Sequence, residues 1–410
     1  MKERAMSCER CCSFLLKPCV TLLLYSPFSL DNFLMFKSLS FISIALLSAV
    51  HSAHSETSVS TASAQDKIEL GRYLFHDVRL SLKGNRSCAL CHNPDIHWTN
   101  SFNKVPDIQG DISRLNTPSL LNVADSNNFT VSTYNVRDLE SAVSRPLLST
   151  APLEMGATPS MVVNRLQDAK TLYAPLFQDA YGDNKITYKR ATQALAAFTA
   201  SITSMETRYH RFKQGERTAL TEKERRGLAL FESDRLNCTS CHAGEQLNLT
   251  KASQHVEHYN VGLYGIHTNG EYFYPSSENG LRKTTGTKGD DGKYRTPSLI
   301  NVTNTGPWGH DGSYLSLMAV IESYARGGRK ISLGANVGDG KLSFAKHPSI
   351  QGFTITEDEK SDLIAFLETL TIENFEQLKA QTQSPFCQLI KLKNRTELPN
   401  CIEPYRAATE

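Results

Sequence analysis

Two pentapeptides, Cys88-Ala89-Leu90-Cys91-His92 and Cys238-Thr239-Ser240-Cys241-His242, set two thiols and an imidazole at one spacing, 150 positions apart. In this arrangement the sulfurs can add across the vinyl groups of a haem while the adjacent histidine takes its iron from below. Other chemistry fits worse. A reducible pair of the thioredoxin type does not need a histidine at the fifth position twice. A four-ligand zinc site built from both pairs would leave two histidines spare and carry a very long insert between its halves. The surroundings repeat as well. Leu70-Gly71-Arg72-Tyr73-Leu74-Phe75 and Arg226-Gly227-Leu228-Ala229-Leu230-Phe231 precede the motifs, and Thr117-Pro118-Ser119-Leu120 and Thr296-Pro297-Ser298-Leu299 follow them. We therefore expect a duplicated cytochrome unit with two covalently bound haem c groups, attached at Cys88, Cys91, Cys238 and Cys241 and ligated by His92 and His242.

The elements that must hold these groups follow along the chain. Residues 1–34 scatter Cys8, Cys11, Cys12 and Cys19 among apolar runs without periodicity, and read as a misassigned start. From Met35 a lysine, an apolar stretch and then small residues form a signal peptide over 35–55, which implies a periplasmic protein. The apolar core is about a dozen residues, short of the roughly 20 that span a bilayer, so no membrane span is expected after cleavage. A mature chain of about 355 residues suits two domains, an N-terminal cytochrome c domain over 56–215 and a C-terminal one over 216–380. In the tail, 381–410, Cys387 and Cys401 are expected to form a disulfide.

Strand signals are sparse, and the expected fold is mainly α. Residues 55–64 read as a flexible lead-in, 66–75, 159–177 and 188–209 as helices, and 244–295 as a long loop over the second haem. Thr221 to Glu224 and Thr356 to Glu359 are capping boxes, the second opening a final helix through Leu370. Residues 313–326 read as a helix stopped by Gly327 and Gly328. On it Leu317, Val320, Ile321 and Tyr324 share one stripe, whereas Met318 points elsewhere. A formal charge of +2 without a basic run gives no reason to expect nucleic acid as a partner.

With the two motifs, the repeated Thr-Pro-Ser-Leu segments and Gly309-His310-Asp311-Gly312, the chain resembles the bacterial di-haem cytochrome c peroxidase and MauG superfamily. Val261-Gly262-Leu263-Tyr264, the run from Leu153 to Gly156 and Tyr324-Ala325-Arg326-Gly327-Gly328 look closest to its MauG-like, MbnH-type branch. The resemblance implies that hydrogen peroxide reacts at the N-terminal haem while the second exchanges electrons. Family peroxidases often carry a removable distal histidine about sixteen residues after the first motif, but residues 100–116 contain none, which implies an open first iron. His97 reads as a loop histidine. Glu154 matches the family's distal glutamate and Pro146 the proline beside it, although their spacing is two residues longer than in typical peroxidases. The family's distal glutamine position falls on Ala142. A carboxylate there can move the proton from the near oxygen of peroxide to the far one.

Tyr324 occupies the place of the peroxidases' methionine ligand and of a tyrosine in MauG. A phenolate there stabilises higher oxidation states, whereas methionine raises the potential. The resemblance also implies calcium between the haems, held by the Asn116 side chain and the carbonyls of Thr305 and Pro307. The family's inter-haem tryptophan is missing. Trp308 and Tyr134 are the relay candidates, and Trp98 reads as loop packing. We thus expect an enzyme that oxidises a side chain of a periplasmic protein partner by long-range electron transfer. The alternatives are a peroxidase supplied by a small cytochrome donor and, in a different class, a non-catalytic electron carrier.

Overall fold

Helix α1, Glu56–His76, delivers the chain to the first motif, because Leu70, Leu74 and Phe75 form an apolar face that buries completely. The computed structural model describes residues 56–113, 115–126, 129–132, 136, 138–249 and 258–386, with side chains from residue 64 on. The expected start, the signal peptide, Tyr134, Cys387 and Cys401 lie outside these residues. Residues 56–64 depart from the expected flexible lead-in and continue α1. A helix nucleated by its buried end extends with little further penalty, even through weak helix formers such as serine and threonine.

The other helices follow as α2 (Cys88–Cys91), α3 (Leu139–Leu148), α4 (Pro159–Asp168), α5 (Lys170–Tyr181), α6 (Tyr188–Ser201) and α7 (Arg208–Lys213). The second half holds α8 (Glu222–Phe231), α9 (Arg282–Thr285), α10 (Leu317–Arg326), α11 (Glu357–Glu368) and α12 (Phe375–Thr382). The fold is mainly helical, as expected. Among the described residues the strands form three small antiparallel pairs. These join β1 (His258–Tyr259) to β4 (Tyr294–Arg295), β2 (Ile266–Thr268) to β3 (Glu271–Phe273), and β5 (Lys330–Ile331) to β6 (Gly338–Asp339). The region read as one long loop over 244–295 therefore carries four short strands and α9.

Both capping boxes are present, with Thr221 and Thr356 accepting from the N3 amide while Glu224 and Glu359 reach back. α10 starts later than expected, at Leu317, because Ser316 takes the cap and accepts from the amide of Ala319 at 3.1 Å.

α1 packs on α6, and α8 on α11, each through a glycine. A Cβ on Gly71 would lie 2.0 Å from the carbonyl oxygen of Ala194, and one on Gly227 would lie 1.9 Å from that of Asp362. Helix axes this close leave no room for a methyl group. Gly227→Ala should therefore lower stability by about 1–3 kcal/mol, the usual range for an overpacked contact. The chemical denaturation midpoint measures this, and an unchanged midpoint would show that α8 and α11 can separate freely. No described helix is long and apolar enough to cross a membrane.

Candidate haem sites

The second motif opens on a cavity of about 710 Å³, within the roughly 300–1,000 Å³ typical of ligand pockets. Cys238, Cys241 and His242 lie on its wall, with the α10 stripe of Leu317, Val320, Ile321 and Tyr324. Met318 is not on that wall, and no methionine is among the lining residues. Burial pushes the Tyr324 phenol well up, and negative charge on Cys241 and Cys238 would push it further, which places the ring beside the motif. Arg295, in the same wall, is pulled down to about 10 by burial, and its Nε donates to the carbonyl of Thr130 at 3.3 Å. A buried guanidinium of this kind suits a ligand that brings its own carboxylates.

The histidines are oriented alike. His92 Nδ1 pairs with the carbonyl of Trp98 at 3.2 Å, and His242 Nδ1 with that of Leu247 at 2.9 Å. A carbonyl can only accept, so Nδ1 carries the proton and Nε2 is left as the ligating nitrogen. Burial pulls both imidazoles below their ordinary range, His92 to about 4, which keeps them neutral as ligation needs. The four motif cysteines form no disulfide. Burial pushes the thiols of Cys88 and Cys238 up to about 12.

The surroundings match contact for contact. Ser119 donates to the carbonyl of His97 at 2.8 Å and Ser298 to that of Gln246 at 3.0 Å, each one residue before the carbonyl that holds the histidine. Asn122 and Asn301 both have positive φ, at 59° and 64°, and their amides donate to Ile202 and Leu370, both at 2.8 Å. Phe75 meets Phe198 at 5.0 Å as Phe231 meets Phe366 at 5.1 Å.

At the first motif, Pro146 lies on α3 one turn after Ala142, and its carbonyl accepts from the Met155 amide at 3.1 Å, which brings it beside Glu154. Glu154 is exposed at the surface yet closely surrounded by neighbouring atoms. Burial pushes its carboxyl above the usual range, partly offset by Arg145. Cys91 is raised by burial, lowered by Arg86 and raised by Glu154, so the carboxyl faces the first motif.

Asn116, Thr305 and Pro307 all line the second cavity. Asn116 spends Nδ2 on the carbonyls of Phe102 and Asn103, at 3.1 and 3.2 Å, leaving Oδ1 as its free acceptor. Among the described residues no cluster of three acidic, histidine or cysteine side chains suits a metal. Trp308 lines the cavity and donates from Nε1 to Val302 at 2.9 Å. Trp98 is fully buried, donating to Thr382 Oγ1 at 3.0 Å. His97 stacks on Phe375 with centroids 3.9 Å apart, and Asn301 Nδ2 meets its Nδ1 at 3.0 Å. Sequence reasoning gave no role to Arg295, nor to the Tyr264 and Asp311 pair, whose hydroxyl and carboxylate are hydrogen-bonded. Both partners lay in segments singled out for resemblance, which was the available signal.

Residues 65–218 match the family described as di-haem cytochrome c peroxidase. The methylamine utilization protein MauG of Methylorubrum extorquens is 34% identical over 310 residues, 75% of this chain and 79% of the relative. The cytochrome c551 peroxidase of Nitrosomonas europaea is 25% identical over 306 residues, 75% of this chain and 80% of the relative. The crystal structure of a MauG-like protein associated with microbial copper homeostasis superposes with a TM-score of 0.72 at 34% identity, covering 78% of this chain and 93% of that one. Likeness sustained over three quarters of its length shows that the chain belongs to the di-haem cytochrome c peroxidase and MauG family, oxidoreductases that act on peroxide and carry two haems.

Proposed function

We propose that this is a periplasmic enzyme of the MauG-like kind, reacting with hydrogen peroxide beside the first motif and oxidising a side chain of a partner protein at a distance. The observation that carries this is Tyr324 on the cavity wall beside Cys238 and Cys241, with no methionine lining that cavity. Phenol rather than thioether favours storing oxidising equivalents over accepting electrons from a small cytochrome.

In this reading residues 56–215 and 216–380 are duplicated cytochrome c domains, which the matched contacts support. Cys88 and Cys91 would hold one haem and Cys238 and Cys241 the other, with His92, His242 and Tyr324 as iron ligands, and the buried Arg295 would offer a cation to a ligand's carboxylates. Bound haem supplies the iron at which peroxide is cleaved and on which its oxidising equivalents are kept. Glu154 takes the proton from the near peroxide oxygen and returns it to the far one, so that water leaves. Pro146, whose carbonyl accepts from the Met155 amide, holds the segment that carries that carboxyl. Asn116 Oδ1 and the carbonyls of Thr305 and Pro307 form an all-oxygen set suited to calcium completed by waters. Trp308, on the wall of the second cavity, serves in this reading as the relay between the haems.

Relatives named as cytochrome c peroxidases support the second reading, a peroxidase fed by a small cytochrome. Steady-state peroxide consumption with reduced small cytochrome c tests the choice. We expect slow turnover with the donor and faster loss of the oxidised state with the cognate protein partner. Rapid turnover with the cytochrome would transfer the chain to the peroxidase reading.

A further inference from the structure

Four tyrosines beside the second cavity have no part in the function proposed above. Tyr294 and Tyr314 line the cavity, and Tyr264 and Tyr274 are buried. His310, also on the wall, stacks on Tyr294 with centroids 3.8 Å apart and lies 6.0 and 6.2 Å from Tyr274 and Tyr264. Tyr264 and Tyr274 meet edge to face at 5.5 Å. The rings make a continuous aromatic path from the cavity wall inward.

A ring that can yield an electron differs from one that only packs in where its proton goes. A phenol becomes a strong acid on losing an electron, and retaining the proton makes oxidation much harder. Here the four tyrosines separate. Tyr294 donates to the carbonyl of Glu278 at 2.8 Å and Tyr314 to the hydroxyl of Ser323 at 2.6 Å, while the Tyr274 oxygen accepts from the Leu263 amide at 2.7 Å. None of these partners is a base. Tyr264 alone among the four donates to a carboxylate, Oδ2 of Asp311. That carboxylate is kept ionised. Burial pushes it up, but its interactions with His310, the Tyr264 hydroxyl and Ser313 outweigh burial and hold it below the usual range. The Ser313 amide donates to Oδ1 at 3.0 Å, and Arg329 Nη1 stands 3.7 Å from Oδ2.

We propose that Tyr264 is a one-electron donor to the second cavity, with Asp311 accepting its phenolic proton as the ring is oxidised. The electron leaves along the Tyr274, His310 and Tyr294 rings toward the oxidised cofactor. The O–H bond of Tyr264 breaks and a bond from that proton to Asp311 Oδ2 forms, leaving a neutral tyrosyl and a neutral carboxyl. Hydrogen peroxide is the oxidant, taking up two electrons and, from solvent, two protons to give two waters. Tyr264 supplies one of those electrons and the cofactors the other, so that one oxidising equivalent remains on them. An electron from a reductant, with the proton returned by Asp311, resets the pair. The inference rests on the reading of the cavity as the second haem site.

The test uses the holoenzyme with one equivalent of hydrogen peroxide and no partner, freeze-quenched for electron paramagnetic resonance, with ring-deuterated tyrosine incorporated to identify the signal. Wild type should give a tyrosyl signal and Y264F should lose it. D311N should form it roughly 10²-fold more slowly, at the low end of what positioned proton transfer contributes. Should either variant fail to fold, wild-type protein treated with peroxide and a nitroso spin trap must carry the adduct on Tyr264 after digestion. A tyrosyl signal that survives in Y264F, an adduct found only on other residues, or a wild-type sample without a tyrosyl signal overturns the proposal. A haem absorption spectrum that peroxide leaves unchanged removes the underlying reading and this inference with it. A spectrum that responds without any tyrosyl signal removes this inference alone.

Discussion

Glu154→Gln should slow the reaction with hydrogen peroxide by about 10²–10⁴-fold, the range that a positioned general acid–base group supplies. The replacement keeps the shape of the side chain and removes only its ability to take up and return a proton, so the loss reports the chemistry and not the packing. Stopped-flow mixing of holoenzyme with peroxide reads the rate directly. The wild-type rate should also depend on pH in a definite sense. Burial raises the carboxyl above the ordinary glutamate range, with Arg145 opposing. The base is the ionised form, so activity is present above the raised value and falls as pH drops through it. The inflection should therefore lie higher than for an exposed glutamate and should vanish in the variant. An unaltered rate in Glu154→Gln would remove this carboxyl from the mechanism.

The second large effect belongs to Tyr324. Burial pushes its phenol up, so ionisation inside the cavity requires a nearby cation, and a ferric iron is such a cation. Tyr324→Met replaces a hard anionic donor with a thioether. Axial ligands move haem potentials over about 0.8 V, and a rise on the order of 100 mV is expected for the second haem. Spectroelectrochemical titration measures it, and the visible spectrum should change in parallel. The variant should also gain turnover with a small cytochrome donor. If potential and spectrum both stay where they were, Tyr324 is a packing residue of α10 and the MauG-like reading loses its main support.

The parts legible in sequence were those written in short spans. The pentapeptides, the two capping boxes and the α10 stripe each need no more than about ten residues to be recognised, and the boxes and the stripe are found where expected. What escaped was set by distant partners. The helix expected over 188–209 breaks after Ser201 because Asn122, some eighty positions earlier, binds both the carbonyl and the amide of Ser204, at 2.7 and 2.8 Å. Periodicity cannot register such a competitor for backbone groups. The carbonyls that orient His92 and His242 belong to Trp98 and Leu247, and backbone acceptors leave no trace in residue type. Tyr264 and Asp311 are 47 positions apart, and both had been noticed only for resemblance. The short strands over 258–295 escaped because pairs of two or three residues carry too little alternation to detect.

Asn122 and Asn301 begin as twins and end differently. The first turns its side chain back into its own half, toward Thr203 and Ser204, whereas the second extends to His97, whose neighbour Trp98 steadies His92. The segment that follows the second motif thus grips the segment that orients the histidine of the first. A displacement of either segment is therefore passed to the other across the 3.0 Å contact between Asn301 Nδ2 and His97 Nδ1.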